Sequence, residues 1–174
     1  LLAGLPNARK DRTQMKQRVL FMSPGLSKGG AETQMLKVAS FLKSQEKDVL
    51  IICLLPKLEN TIDLSQSGIE ILYLKSWRRN FWANIIFLNN TVKSFNAQTV
   101  IAFMFIAIIF ARLLKIKFGF NLISSIRASE IDNKWYIPFK ITSNLDDVVV
   151  YNANSSRLNL QRLKLVKKKG IVIN

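Results

Sequence analysis

Histidine is absent from this 174-residue chain. Its absence excludes the Ser-His-Asp and Cys-His triads, the common zinc sites and the usual general base. Any catalysis within the chain falls to carboxylates, lysines, backbone amides or the ligand itself. Cysteine is almost as scarce: Cys53 is the single one. One thiol excludes a disulfide framework and fits a reducing compartment. Cys53 lies in the apolar run 49–55 and reads as an inert buried thiol, with no histidine to activate it. Acidic residues are few, 11 against 26 lysines and arginines, which leaves a formal charge of +15. Such an excess attracts phosphates, whether in nucleic acid, anionic lipid or nucleotide. No recognition-helix or RNP pattern accompanies it, so nucleic acid is not expected as a partner. The basic groups near both ends, from Arg9 to Arg18 and from Arg157 to Lys169, read equally as solvated faces.

No apolar run is long enough to span a bilayer. The longest, residues 100–111, ends at Arg112 after 12 residues, against the roughly 20 that a spanning helix needs. It reads as a buried strand running into a buried helix. The N-terminus is basic and polar, which is not the pattern of a secretory signal. A cytoplasmic location is expected.

What is present is an alternation of apolar runs. Strands are expected at 19–22, 49–54, 69–74, 100–103, 121–126, 148–151 and 171–173. Most are unbroken β-branched and aliphatic runs, as in strands covered on both faces. Helices are expected at 31–44, 82–95, 106–115, 135–144 and 155–163, the last with Asn154 and Ser155 as N-cap side chains. The pattern predicts an α/β fold: a Rossmann-like, doubly wound, mostly parallel sheet of about seven strands with helices on both faces. Residues 1–15 have no periodicity and are expected to be a disordered extension. Residues 16–174 form the domain.

The most informative segment joins the first strand to the first helix. Gly25, Gly29 and Gly30 make a glycine-rich turn, and Lys28 stands beside them. A strand, a glycine turn and a helix N-terminus suit a phosphate-bearing ligand, because the first-turn N–H groups are free and bare backbone allows close approach. Three residues separate Gly25 from Gly29, so the dinucleotide fingerprint G-x-G-x-x-G is missing. No Gly-Lys-Ser/Thr closes the turn as in a P-loop. The plainer alternative is that the glycines only let the helix pack closely on the strand. In a doubly wound sheet ligands bind beyond the carboxyl ends of the strands. Ser23, Lys75, Trp77, Arg78, Arg79, Arg127, Ser129, Glu130, Asn152 and Asn154 follow the ends of the strands and gather a polar, mostly cationic set there.

Arg18–Glu32, with its Gly-Gly-Ala-Glu, resembles the opening of family 4 glycosyltransferases of the GT-B fold. The resemblance continues in Ser124-Ser-Ile-Arg-Ala-Ser-Glu130, in Val148-Val-Val-Tyr-Asn-Ala-Asn-Ser155 and in Gly170-Ile-Val-Ile-Asn174. It implies an N-terminal, acceptor-side domain, with a donor-binding C-terminal domain following in the full-length protein. This half would not transfer a sugar alone. The implied reaction is retaining transfer from a nucleotide-sugar, a co-substrate, to a glycan or lipid-linked acceptor, with no metal or other cofactor. The leaving diphosphate helps deprotonate the acceptor, which suits a chain without histidine. Carried over by position, Gly29, Gly30 and Lys28 approach the donor diphosphate. Arg127, Ser129 and Glu130 face the acceptor or a phosphate. Many members carry histidine where Arg127 stands. A guanidinium is no base but holds phosphates and hydroxyls. The alternative for Arg127 is a surface ion pair with Glu130. Glu32, in the first helical turn, reads mainly as a partner of the helix dipole.

The segment 75–82 stands apart, with Trp77, Arg78, Arg79 and Phe81 as candidate contacts to an anionic membrane surface. The competing reading makes Phe81 and Trp82 the start of a core helix. At the level of function, the alternative to a glycosyltransferase half is a stand-alone nucleotide- or phosphate-binding module without catalysis.

Overall fold

Both faces of the first strand are apolar, and this decides the layering. In β1 (Arg18–Ser23), Val19 and Phe21 pack into one core while Leu20 and Met22 pack into another. A strand buried on both sides belongs inside a sheet covered by helices on each face. The computed structural model describes residues 16–27, 29–58, 61–62, 67–128, 130–166 and 170–173. The other strands are β2 (Asp48–Cys53), β3 (Glu70–Tyr73), β4 (Thr99–Phe103), β5 (Asn121–Ile126), β6 (Val148–Tyr151) and β7 (Ile171–Val172). All pair in parallel in one sheet, in the order β3-β2-β1-β4-β5-β6-β7. The expected fold class is the one found, and each strand end lies within one residue of its expected place. The expected extension, residues 1–15, lies outside the described residues.

The helices are α1 (Gly30–Ser44), α2 (Trp77–Phe95), α3 (Phe105–Phe118), α4 (Asn133–Ile141) and α5 (Asn154–Arg162). The crossover from β1 to β2 steps toward one sheet edge. Those from β3 onward step toward the other. Right-handed crossovers in opposite directions put their helices on opposite faces. Accordingly α1 covers one face through Met35, Leu36 and Ala39. The larger core, with Leu88 of α2, Ile108 of α3, Phe139 of α4 and Leu160 of α5, lies on the other.

The structure corrects four helix boundaries. α2 starts at Trp77, not at residue 82, because an extra first turn joins it across a kink at Asn80 (φ −128°, ψ 32°). Contacts of Trp77 hold that turn, and no local propensity announces it. α3 runs past residue 115 to Phe118 and ends where Gly119 takes φ +70° and donates its N–H to the Lys115 carbonyl at 2.8 Å. α4 stops at Ile141, followed by a single 3-10 turn, Ser143–Leu145. At its end the Thr142 N–H and hydroxyl both donate to the Pro138 carbonyl, at 3.3 and 2.8 Å, and satisfy a carbonyl of the last turn. α5 has Ala153 as its N-cap, extended at φ −152°, with no side-chain capping bond. Asn154 and Ser155 already belong to the first turn, so neither caps it.

Arg112 anchors the larger core. It was expected to end the apolar run, yet it is wholly buried. Its Nε donates to Asp146 Oδ1 at 2.8 Å and its Nη2 to Oδ2 at 2.5 Å, while Nη1 donates to the Phe139 carbonyl and to Thr142 Oγ1. The Ser124 hydroxyl donates to the same carboxylate at 2.7 Å. A fully satisfied bidentate pair thus ties α3 to β5 and to the turn before β6.

Candidate functional site

The sheet order reverses between β1 and β4, so the crevice at their carboxyl ends is the topological switch point. A depression of about 430 Å³ opens there, lined by Gly30, Ala31, Glu32, Gln34, Met104, Arg127 and Asn152. Its volume suits a sugar ring or a phosphate group.

One wall is the start of α1. Its N-cap, Gly29, is extended (φ −143°, ψ 164°), and no side chain caps the helix. The Gly29 carbonyl receives the Thr33 N–H at 3.0 Å. The first-turn amides have no intrahelical acceptor. A Cβ added at Gly25 or Gly30 would meet nothing within 4 Å, so close packing on the strand is not why glycine stands there. The space beside Gly29 is taken by the Glu32 carboxylate. That carboxylate lies at the positive end of the helix, where it complements the dipole. An incoming phosphate would need it to swing aside. Lys28 lies outside the described residues.

Arg127 forms the opposite wall. Its Nε donates to Ser125 Oγ at 3.0 Å and its Nη1 to Gln34 Oε1. The guanidinium lies over the Phe103 ring, 5.6 Å from the centroid. Burial lowers its pKa, yet an arginine starts high enough to stay charged. Two of its five donors have these partners, which leaves capacity for a phosphate or for sugar hydroxyls. Asn152 Nδ2 donates to the Arg127 carbonyl at 3.4 Å and joins β6 to the rim. The expected alternative, an ion pair with Glu130, is not formed: Glu130 is exposed and does not partner Arg127. Ser129 lies outside the described residues.

Two lining residues escaped the sequence reading. Gln34 sits one turn beyond Gly30 on the same helix face, a spacing that would have found it. Met104 lies between β4 and α3, inside a run that read as continuous core. Its backbone is at φ 67°, ψ 154°, a region occupied almost only by glycine. Its amide donates to the Ser125 carbonyl at 3.3 Å, and its carbonyl accepts from Ile108 at 3.1 Å. The strain lies at the switch point itself.

The segment 75–82 divides. Trp77 turns inward, its indole donating to the Leu54 carbonyl at 2.7 Å and its ring 5.0 Å from that of Phe110. Arg78, Arg79, Phe81 and Trp82 are exposed. Among the described residues no helix is long and apolar enough to cross a membrane. Cys53 is buried, and burial pushes its thiol up to about 12.

No family model and no curated protein matches the chain. Solved structures do. A glycosyltransferase from Rickettsia africae ESF-5 superposes with a TM-score of 0.71 at 20% identity, covering 91% of this chain and 42% of its own. MurG of Acinetobacter baumannii gives 0.65 at 15% identity, covering 90% and 44%. HepE of Anabaena, crystallised with UDP and glucose, gives 0.64 at 15% identity, covering 90% and 44%. The chain spans less than half the length of each of these neighbours. At these identities the likeness establishes the fold: this chain has the architecture of one half of a GT-B glycosyltransferase.

Proposed function

We propose that this chain is the N-terminal, acceptor-side half of a retaining, family 4-type glycosyltransferase. The full protein would move a hexose from a nucleotide-sugar to a glycan or lipid-linked acceptor, building cell-surface polysaccharide or glycolipid in the bacterial cytoplasm. The observation that carries this reading is the charged, incompletely satisfied Arg127 facing the open start of α1 across the switch-point cleft. Similarity to glycosyltransferases, HepE with its bound UDP among them, supports a nucleotide-sugar donor.

The chemistry suits the residues. Arg127 donates hydrogen bonds to an acceptor phosphate or to sugar hydroxyls and moves no proton. The leaving diphosphate takes the acceptor proton, so neither a histidine nor a metal is called for. Gly29 and Gly30, with Lys28, offer backbone amides and a cation to the donor diphosphate once a second domain closes over the cleft. Ser129 and Glu130 follow on the acceptor side.

Calorimetric titration with a lipid-pyrophosphate-linked sugar and with UDP tests the assignment. The linked sugar is expected to bind and Arg127→Ala to weaken it about tenfold or more, the loss of a charged hydrogen bond. UDP alone is expected to bind only in the millimolar range. Micromolar UDP binding that is indifferent to the linked sugar would favour a stand-alone nucleotide-binding module. The coding sequence after codon 174 is a second discriminator, since an open frame with Glu-x7-Glu about one domain on belongs to the glycosyltransferase reading alone.

A further inference from the structure

Helices α2, α3 and α4 lie side by side on one face, and their outward sides are unusual. Trp82 is 73% exposed, Ile86 59%, Leu113 51%, Ile116 69%, Ile137 69% and Ile141 73%. Together with Phe81 (49%) and Phe87 (42%) on α2, these six exceed the scattered exposure of an ordinary surface. The six come in pairs one turn apart, one pair on each helix, as on the apolar side of an amphipathic helix.

The charge on α2 and α3 is one-sided. No aspartate or glutamate occurs anywhere in residues 71–129, a span that contains eight lysines and arginines and all of α2 and α3. Arg78 and Arg79 precede Trp82 by one turn. Lys93 and Lys117 are also exposed, and Lys117 bridges the two helices by donating to Asn89 Oδ1 at 2.9 Å. On α4, Lys140 is exposed beside the apolar pair, while Lys134 is ion-paired with Asp132 at the helix start, 3.4 Å apart.

We infer that the α2–α4 layer is a docking surface for an anionic bilayer, with Trp82 and the five aliphatic side chains entering the headgroup boundary and the cations meeting lipid phosphates. Charge selects this occupant over a second copy of the chain. Two copies meeting here would bring their cationic faces together, whereas an anionic lipid surface neutralises them. Pairs of apolar side chains set among cations suit an interface layer that deforms around them. The surface also has a direction. α2 begins at the carboxyl edge of the sheet, the edge that holds the cleft, so docking through Arg78, Arg79 and Trp82 sets the cleft mouth beside the headgroups. The inference stands on exposure and charge and does not depend on which reaction the cleft serves.

Co-sedimentation with vesicles of phosphatidylcholine, with and without one-third phosphatidylglycerol, tests it, with tryptophan fluorescence as a second readout. A strongly cationic protein binds anionic lipid weakly by any face, so the variants carry the decision. Binding to the anionic vesicles and a blue shift of the emission are expected. Trp82→Ser with Ile86→Ser is expected to lower the partition coefficient about tenfold and to abolish the shift. Arg78→Glu with Arg79→Glu is expected to lower it at least as much. A charge-matched control on the opposite face, Lys37→Glu with Lys43→Glu, is expected to lower it severalfold less. No binding to anionic vesicles, equal binding to neutral ones, or equal loss in the control would overturn the proposal. So would a dimer in sedimentation velocity that Trp82→Ser dissociates.

Discussion

Arg127 and Met104 each follow directly on a strand end, yet their surroundings give them different tasks. Arg127 is held by Ser125, Gln34 and the face of Phe103, so its remaining donors are presented at little further entropic cost. Met104 holds a backbone conformation that a side chain makes costly, at about 1–3 kcal/mol. Strain of this kind persists only where the surrounding structure imposes it. Met104→Gly is therefore expected to stabilise the fold by about 1 kcal/mol after the added unfolded-state entropy is counted, raising Tm by about 2–4 °C. The same change removes the thioether from the cleft and is expected to weaken ligand binding there. Thermal melts and the titration described above separate the two effects.

Between elements, two contacts hold the layout. Arg112 and Asp146 are both fully buried and complete each other's hydrogen bonds. Asp146→Ala leaves an uncompensated buried guanidinium and is expected to cost about 3–5 kcal/mol by urea unfolding. Replacing both, Arg112→Met with Asp146→Leu, is expected to recover most of that loss, because the pair's desolvation nearly offsets its attraction. The second contact joins β7 to β6. A Cβ at Gly170 would strike the Tyr151 ring and stand 2.7 Å from the Val149 carbonyl. Backbone and a buried ring cannot yield cheaply. Gly170→Ala is expected to cost roughly 1–3 kcal/mol and to raise hydrogen exchange in β6 and β7 first.

Over the whole molecule, two buried acids make stability depend on alkaline pH. Burial raises the Cys53 thiol from its ordinary 9.0 to about 12. Burial, and then the Asp146 charge, raises the Tyr151 phenol from 10.0 to about 12. Both groups are neutral when protonated. The unfolded chain releases these protons from about pH 9 upward, while the folded chain keeps them to about pH 12. Their contribution is complete below pH 9 and is lost as pH rises through the folded values. The urea midpoint is expected to fall steadily between pH 9 and 12, and Cys53→Ala is expected to flatten the first part of that fall. The net charge of +15 works in the opposite sense, since lysine deprotonation near the same pH relieves self-repulsion. The cysteine variant isolates the thiol from that background.

The sequence by itself determined the layer order and the place of the cleft. Strands buried on both faces leave unbroken apolar runs, helices leave a period of 3.6, and their alternation allows few topologies, so β1 to β7 stood within one residue of where the pattern put them. The glycine turn before α1 and Arg127 after β5 were legible for the same reason: strand ends in such a sheet share one edge. Only the tertiary structure decided which partners meet across that edge. Gln34 and Arg127 are 93 residues apart, and Arg112 and Asp146 are 34 apart. No local period encodes such pairs, because crossovers bring them together. The inward turn of Trp77, the strain at Met104 and the gathering of six exposed apolar side chains on one face belong to the same class. Each depends on how helices lie against a sheet that local sequence does not describe.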